Sequence, residues 1–148
     1  MTSPSPDQKD RQTWMGLLAR AKSARLATLV PDLPAHDILR GPEVGAVMVR
    51  GRLGGTGQPF NLGEMTVTRC SVRLGQTVGH AHVQGRDKGH AQRAAVVDAL
   101  MQTDQAASLR ALVLAPLAAE ETAARALRAA KAAATKVEFF TLVRGEDK

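Results

Sequence analysis

The stretch RGRLGGTGQPFNLGEMTVTR, residues 50–69, most constrains what this chain can fold into. Five glycines fall within thirteen residues: Gly51, Gly54, Gly55, Gly57 and Gly63. Glycine at this density disfavours a helix and opens backbone conformations at positive φ that side chains exclude. The flanking runs, VGAVMVR and MTVTRCSVRL, are β-branched and apolar. The pattern predicts strand, glycine loop, strand. Arg50 and Arg52 stand upstream of the loop, and Glu64 and Arg69 stand downstream. With arginines on both sides, such a loop has the chemistry to hold an anion or to fit closely against a partner backbone. A purely structural hairpin loop is the alternative.

The rest of the chain reads as helices around a meander. Residues 1–9, with Pro4 and Pro6, read as a disordered lead, leaving 10–148 as one domain. Trp14, Leu17, Leu18 and Ala21 recur at helical spacing and predict a helix over 10–25. Residues 26–43 hold Pro31, Pro34, Gly41 and Pro42, which predict a short helical turn and then a loop. Strand one is expected at 44–53, apolar on both faces and therefore central. Strand two is expected at 64–74. Its apolar phase changes partway, which predicts a bulge near Thr68 and Arg69. Strand three, at 77–84, puts Ala81 and Val83 on one face and His80, His82 and Gln84 on the other. Asp87 is a candidate N-cap for a helix over 88–102. A further helix over 104–114 is expected to end at Pro116. The run AAEETAARALRAAKAAAT is strongly helical, and KVEFFTLVRG reads as a last strand. The fold class is α+β: one domain, an antiparallel sheet of about four strands made of the meander and the C-terminal strand, with helices packed against it.

Composition narrows the chemistry. The formal charge of +6 favours an acidic partner or a phosphate-bearing ligand over a neutral one, or simply confers solubility. Cys70 is the sole cysteine, so neither an internal disulfide nor a thiolate metal cluster is expected, in keeping with a cytoplasmic protein. The polar start lacks the apolar core of a secretory signal, and no apolar run reaches membrane-spanning length. The glycine loop is not a P-loop, because no lysine follows Gly57 and the next element is a strand. His80 and His82 share a strand face with ligand-like spacing, and His90 could approach from the next helix, but no carboxylate has ligand spacing to them, so no metal site is expected. No nucleophile has an orienting base, and no catalytic residue is assigned. Glu64 is expected to pair with Arg52 or Arg69. Arg86, Lys88, His90 and Arg93 crowd a helix start, where cations oppose the dipole unless an anion or acidic partner binds. Phe60 alone resembles a stacking aromatic beside basic residues, which makes nucleic acid a poor fit.

The chain also resembles a known family. RQTWM, VRGRLGGTGQPFNLGEMTVTRCSVRL, VQGRDKGHAQRAAVVDALMQ, the APL at 115–117 and KVEFFTLVRGE, in this order, are similar to PhnG, a small subunit of the bacterial carbon–phosphorus lyase core complex. The resemblance runs from about residue 11 to 146 and is poor over 26–41. It implies assembly with PhnI-, PhnH- and PhnJ-type subunits and functional coupling to a PhnL-type protein. It implies support for forming α-D-ribose 1-methylphosphonate 5-triphosphate from ATP and methylphosphonate, with release of adenine. ATP is then a substrate of the complex, and this chain carries no cofactor. The chain is expected to be a non-catalytic or site-shaping subunit, with Arg50, Arg52, Gly54, Gly55, Gly57, Glu64, Arg69, Arg86, Lys88 and His90 as candidates for contact with substrate anion or partner. Two other readings stay open: a stand-alone phosphate- or nucleotide-binding protein using the glycine loop, and a basic nucleic-acid-binding module.

Overall fold

The computed structural model of the protein describes residues 6–136. Helix α1 (Pro6–Arg20) and the short α2 (Ser23–Leu29) lead into two long strands, β1 (Asp37–Arg52) and β2 (Pro59–Leu74), then β3 (Thr77–Gln84) and helix α3 (Lys88–Leu100). A one-turn helix, α4 (Ala106–Leu109), passes through a π-type turn at Arg110–Leu114 into α5 (Ala115–Ala134). The strands form an antiparallel sheet in the order β1-β2-β3. The α+β class and the meander are as expected. The expected C-terminal strand, KVEFFTLVRG at 136–145, lies outside the described residues apart from Lys136.

Four expectations need correction. Residues 6–9 form the first turn of α1 and do not belong to a disordered lead, and the single helix expected over 10–25 is split at Ala21 and Lys22. Strand one begins at Asp37, seven residues early, and among the described residues β1 lies at the edge of the sheet with β2 in the centre. An edge position explains why Pro42 is tolerated, since an outward edge needs no N–H there. The bulge near Thr68 is absent, and β2 pairs with β3 without interruption from Val67–Gln84 to Leu74–Thr77. The extra residues lie at Leu39 and at Gly41–Pro42 on β1 and at Leu62 on β2. The phase change arises because Thr68 continues the inward row of Cys70 and Val72, its hydroxyl donating to the Gly85 carbonyl at 2.8 Å. Finally, Pro116 does not end a helix. Its ring would press on the carbonyl four residues back in a regular helix. The wide π turn just before it absorbs that clash, and the helix continues to Ala134.

The core sits between the sheet and α3, closed by α1 and by Val113, Leu114 and Leu117. From Ala94 to Leu100, α3 is buried on all sides. Its alanines let β3 approach closely. Gly79 of β3 lies so close that a Cβ there would come 1.9 Å from the Ala95 carbonyl oxygen and 2.6 Å from the Ala99 nitrogen. The alanines of α5 are instead largely exposed.

As expected, Asp87 caps α3. Its Oδ1 accepts from the His90 amide at 2.9 Å and its Oδ2 from the Ser23 hydroxyl at 2.6 Å. The Ser23 hydroxyl first, and then the His90 amide, hold this carboxyl below its ordinary value. A lowered folded-state pKa stabilises the fold above the unfolded value and loses that contribution as pH falls through the folded value. Asp87→Ala is expected to cost about 1 kcal/mol at neutral pH. Paired melts of the two proteins should show the gap narrowing below about pH 3.9, the unfolded carboxyl value.

Candidate functional site

Strands β1 and β2 run on together well past the end of β3. The last β2–β3 pair is Val67–Gln84, whereas β1 and β2 stay paired out to Arg52–Pro59. From Ala46 to the tip, seven residues of strand make an arm about 20 Å long. No residue from Met48 to Glu64 is buried, and none joins the core. Leu53 is 73% exposed, Leu62 66% and Met48 52%. The apolar character that suggested a central strand therefore lies on a two-stranded arm bare on both faces. A two-stranded hairpin is marginal on its own in water, and a long apolar strand edge invites pairing or burial.

The tip is a tight turn. Gly54 and Gly55 lie at φ +60° and +85°, and the Gly57 amide donates to the Leu53 carbonyl at 2.8 Å. Gly57 is not at positive φ. It is needed because a Cβ there would sit 2.6 Å from the Leu53 oxygen. Arg52 turns its guanidinium onto the Gly57 carbonyl at 3.2 Å, closing the tip on itself. Arg50 is exposed and shows no ion pair among the described residues.

The ten candidate residues therefore do not form one site. Arg50, Arg52, Gly54, Gly55 and Gly57 belong to the tip. Glu64 stands partway down the arm, across from Met48, and pairs with neither Arg52 nor Arg69. Arg69 lies ten residues along β2 from Pro59, about 30 Å away. Its guanidinium meets Glu43 at 3.4 Å, so it cannot flank the glycine turn. Arg86 and Lys88 are exposed at the start of α3. His90 is 3% exposed and bonds the Leu18 carbonyl at 2.9 Å, tying α3 to α1, so it is not available to a ligand or a partner. His80 and His82 face outward on β3, and the buried His90 cannot join them. Among the described residues no three His, Cys, Asp or Glu side chains converge. Burial pushes the Cys70 thiol up, and the thiol donates to the Arg40 carbonyl at 3.4 Å, so it is held as a neutral core group.

Two features escaped sequence reasoning. The first is Asp98, 0% exposed on α3. Its Oδ1 accepts from Arg11 Nε at 3.1 Å and Trp14 Nε1 at 2.8 Å, and its Oδ2 accepts from Arg11 Nη2 at 2.7 Å and the His80 amide at 2.8 Å. One carboxylate thus joins α1, α3 and β3. The signal was present in VVDAL, an acid inside an apolar helical run, which must find partners if it is buried. The second is a groove of about 580 Å³ between α1 and α5. Leu17, Ala21, Leu117 and Ala124 line it, and Arg20 crosses to Glu121 at 2.8 Å on its rim. Its two helical walls, around Ala21 and around Leu117, lie far apart in sequence, which hid it. No described helix is long and apolar enough to cross a membrane.

A small basic body that ends in an uncovered apolar arm has the form of a protein completed by another surface. Comparison with known proteins gives the family. The model of the phosphonate metabolism protein PhnG matches residues 9–145. The alpha-D-ribose 1-methylphosphonate 5-triphosphate synthase subunit PhnG of Rhizobium meliloti (strain 1021) is 47% identical over 154 residues, covering 99% of this chain and 96% of that relative. The chain belongs to the PhnG family.

Proposed function

We propose that this chain is a subunit of a synthase forming α-D-ribose 1-methylphosphonate 5-triphosphate from ATP and methylphosphonate with release of adenine, and that it contributes docking and site-shaping surface while other subunits supply the reacting groups. PhnI-, PhnH- and PhnJ-type proteins are the partners this reading expects, with a PhnL-type protein acting alongside. Family membership supports the system. The single observation that carries the role is the bare arm from Met48 to Glu64, which stabilises nothing in its own body and needs a cover. The dispersal of the candidate residues over three separate places argues in the same direction, because reacting groups must converge to within hydrogen-bond reach.

Reconstitution tests this. The partner subunits with this chain should release adenine and form the triphosphate product, and the same mixture without it should not. Equal turnover in its absence, or ATP consumption by the isolated chain, would overturn the reading.

A further inference from the structure

The sheet has a second face, away from α3. Register places the side chains of Glu43, Arg69 and His82 in one row across the three strands and those of Arg40, Ser71 and His80 in the next, with Asp37 and Arg73 beyond. The Ser71 hydroxyl and His80 Nδ1, 2.9 Å apart, bear out the shared face. Hydrogen-bond donors outnumber acceptors here. Arg40 and Arg69 share one Glu43 oxygen, at 3.1 and 3.4 Å, and Arg73 holds Asp37 at 2.9 Å. The Arg69 Nε is buried and meets no acceptor, an arrangement proteins seldom leave unfilled. Burial, followed by Arg69, His80 and Arg40, holds the His82 imidazole below its ordinary value.

We propose that this face, carrying Arg40, Arg69, Arg73, His80 and His82, is a docking surface for an acidic, carboxylate-bearing segment of a partner subunit. The proposal rests on the reading of this chain as a subunit. Charge and hydrogen-bond complementarity select the occupant: carboxylates bring the acceptors the face lacks and pair with guanidinium groups in forked geometry. Shape selects it too. A single small anion favours a concave cradle, whereas these cations stand on an open sheet with side chains 36% to 54% exposed. Strands about 4.8 Å apart, with rows repeating every ~6.8 Å along them, match the reach of successive acids on an extended segment. The face adjoins the base of the arm, so one partner can cover both.

The test measures binding of the full chain to an immobilised complex of the remaining subunits, at about 0.05 M and about 0.5 M salt, either side of strong screening. The Arg40→Gln, Arg69→Gln double variant should melt like the wild type, bind roughly tenfold to a hundredfold more weakly at low salt, and lose most of the salt dependence. An independent His80→Gln, His82→Gln variant should weaken binding in the same direction. Wild-type affinity and salt dependence in both variants would overturn the proposal while leaving the subunit reading intact. Normal assembly with lost product formation would also overturn it, by assigning the face to a substrate anion. A wild-type chain that does not bind at all would remove the subunit reading and this proposal together.

Discussion

Asp98→Ala is expected to lower stability by about 3–5 kcal/mol, the cost of removing one partner from a buried charged pair. Three groups lose their acceptor at once: the Arg11 guanidinium, the Trp14 indole N–H and the His80 amide. Arg11, one-third exposed, keeps its bond to the Val78 carbonyl at 3.2 Å and can turn to water, but the buried Trp14 N–H has no such recourse. Asp98→Asn keeps the shape but turns amide hydrogens toward donors, and it should fall between alanine and wild type. Arg11→Ala combined with Asp98→Ala should cost clearly less than the sum of the single changes, because the second no longer breaks an existing contact. Denaturant melts of the four proteins decide the matter. A loss below about 1 kcal/mol for Asp98→Ala, the range of an ordinary surface polar change, would show that the hub is not what holds α1 to the body.

Gly79→Ala should be the other severe change, costing about 3 kcal/mol or more through overpacking. The added methyl would overlap the backbone of α3 at Ala95 and Ala99, and a helix backbone cannot swing aside as a side-chain end can. The strand and helix must separate, which loosens the contact on which the core is built. Gly63→Ala provides the internal control. Nothing lies within 4 Å of a Cβ there and its φ is not positive, so its melt should stay within about 0.5 kcal/mol of wild type. Similar melts for both variants would mean that the close approach of α3 to β3 is not needed.

Much of the local structure was legible in the sequence because its causes are local. The Asp87 cap, the alternation of Ala81 and Val83 against His80 and His82, and the strand–glycine–strand pattern follow from spacing alone. What failed was whatever depends on strand order. A strand apolar on both faces reads as central when burial within one chain is assumed. In β1 the same residues, Val44, Val47 and Met48, are exposed on an edge. Their apolar character is real, but no described element covers them. The candidate site failed for a related reason. Arg52 and Arg69 flank the glycines in sequence, yet extended chain advances about 3.4 Å per residue and carries them far apart. Pro116 misled because a π turn can absorb a proline that a regular helix cannot. The Asp98 hub was readable in part, since VVDAL announces a buried acid, but its partners come from residues 11, 14 and 80, which no local pattern links.

The arm carries the account, and shortening it is the direct test. Joining Met48 to Glu64 through Asn-Gly removes residues 49–63 and leaves a two-residue turn of the type that closes antiparallel pairs. Because the removed residues contribute nothing to the core, the shortened chain should melt within about 1 kcal/mol of wild type. Its co-purification with the partner subunits should fall to background, and it should be less prone to self-association, having lost its exposed apolar edge. A shortened chain that folds and still assembles with the partners as well as the wild type would contradict the account, leaving the glycine-rich hairpin without a docking role.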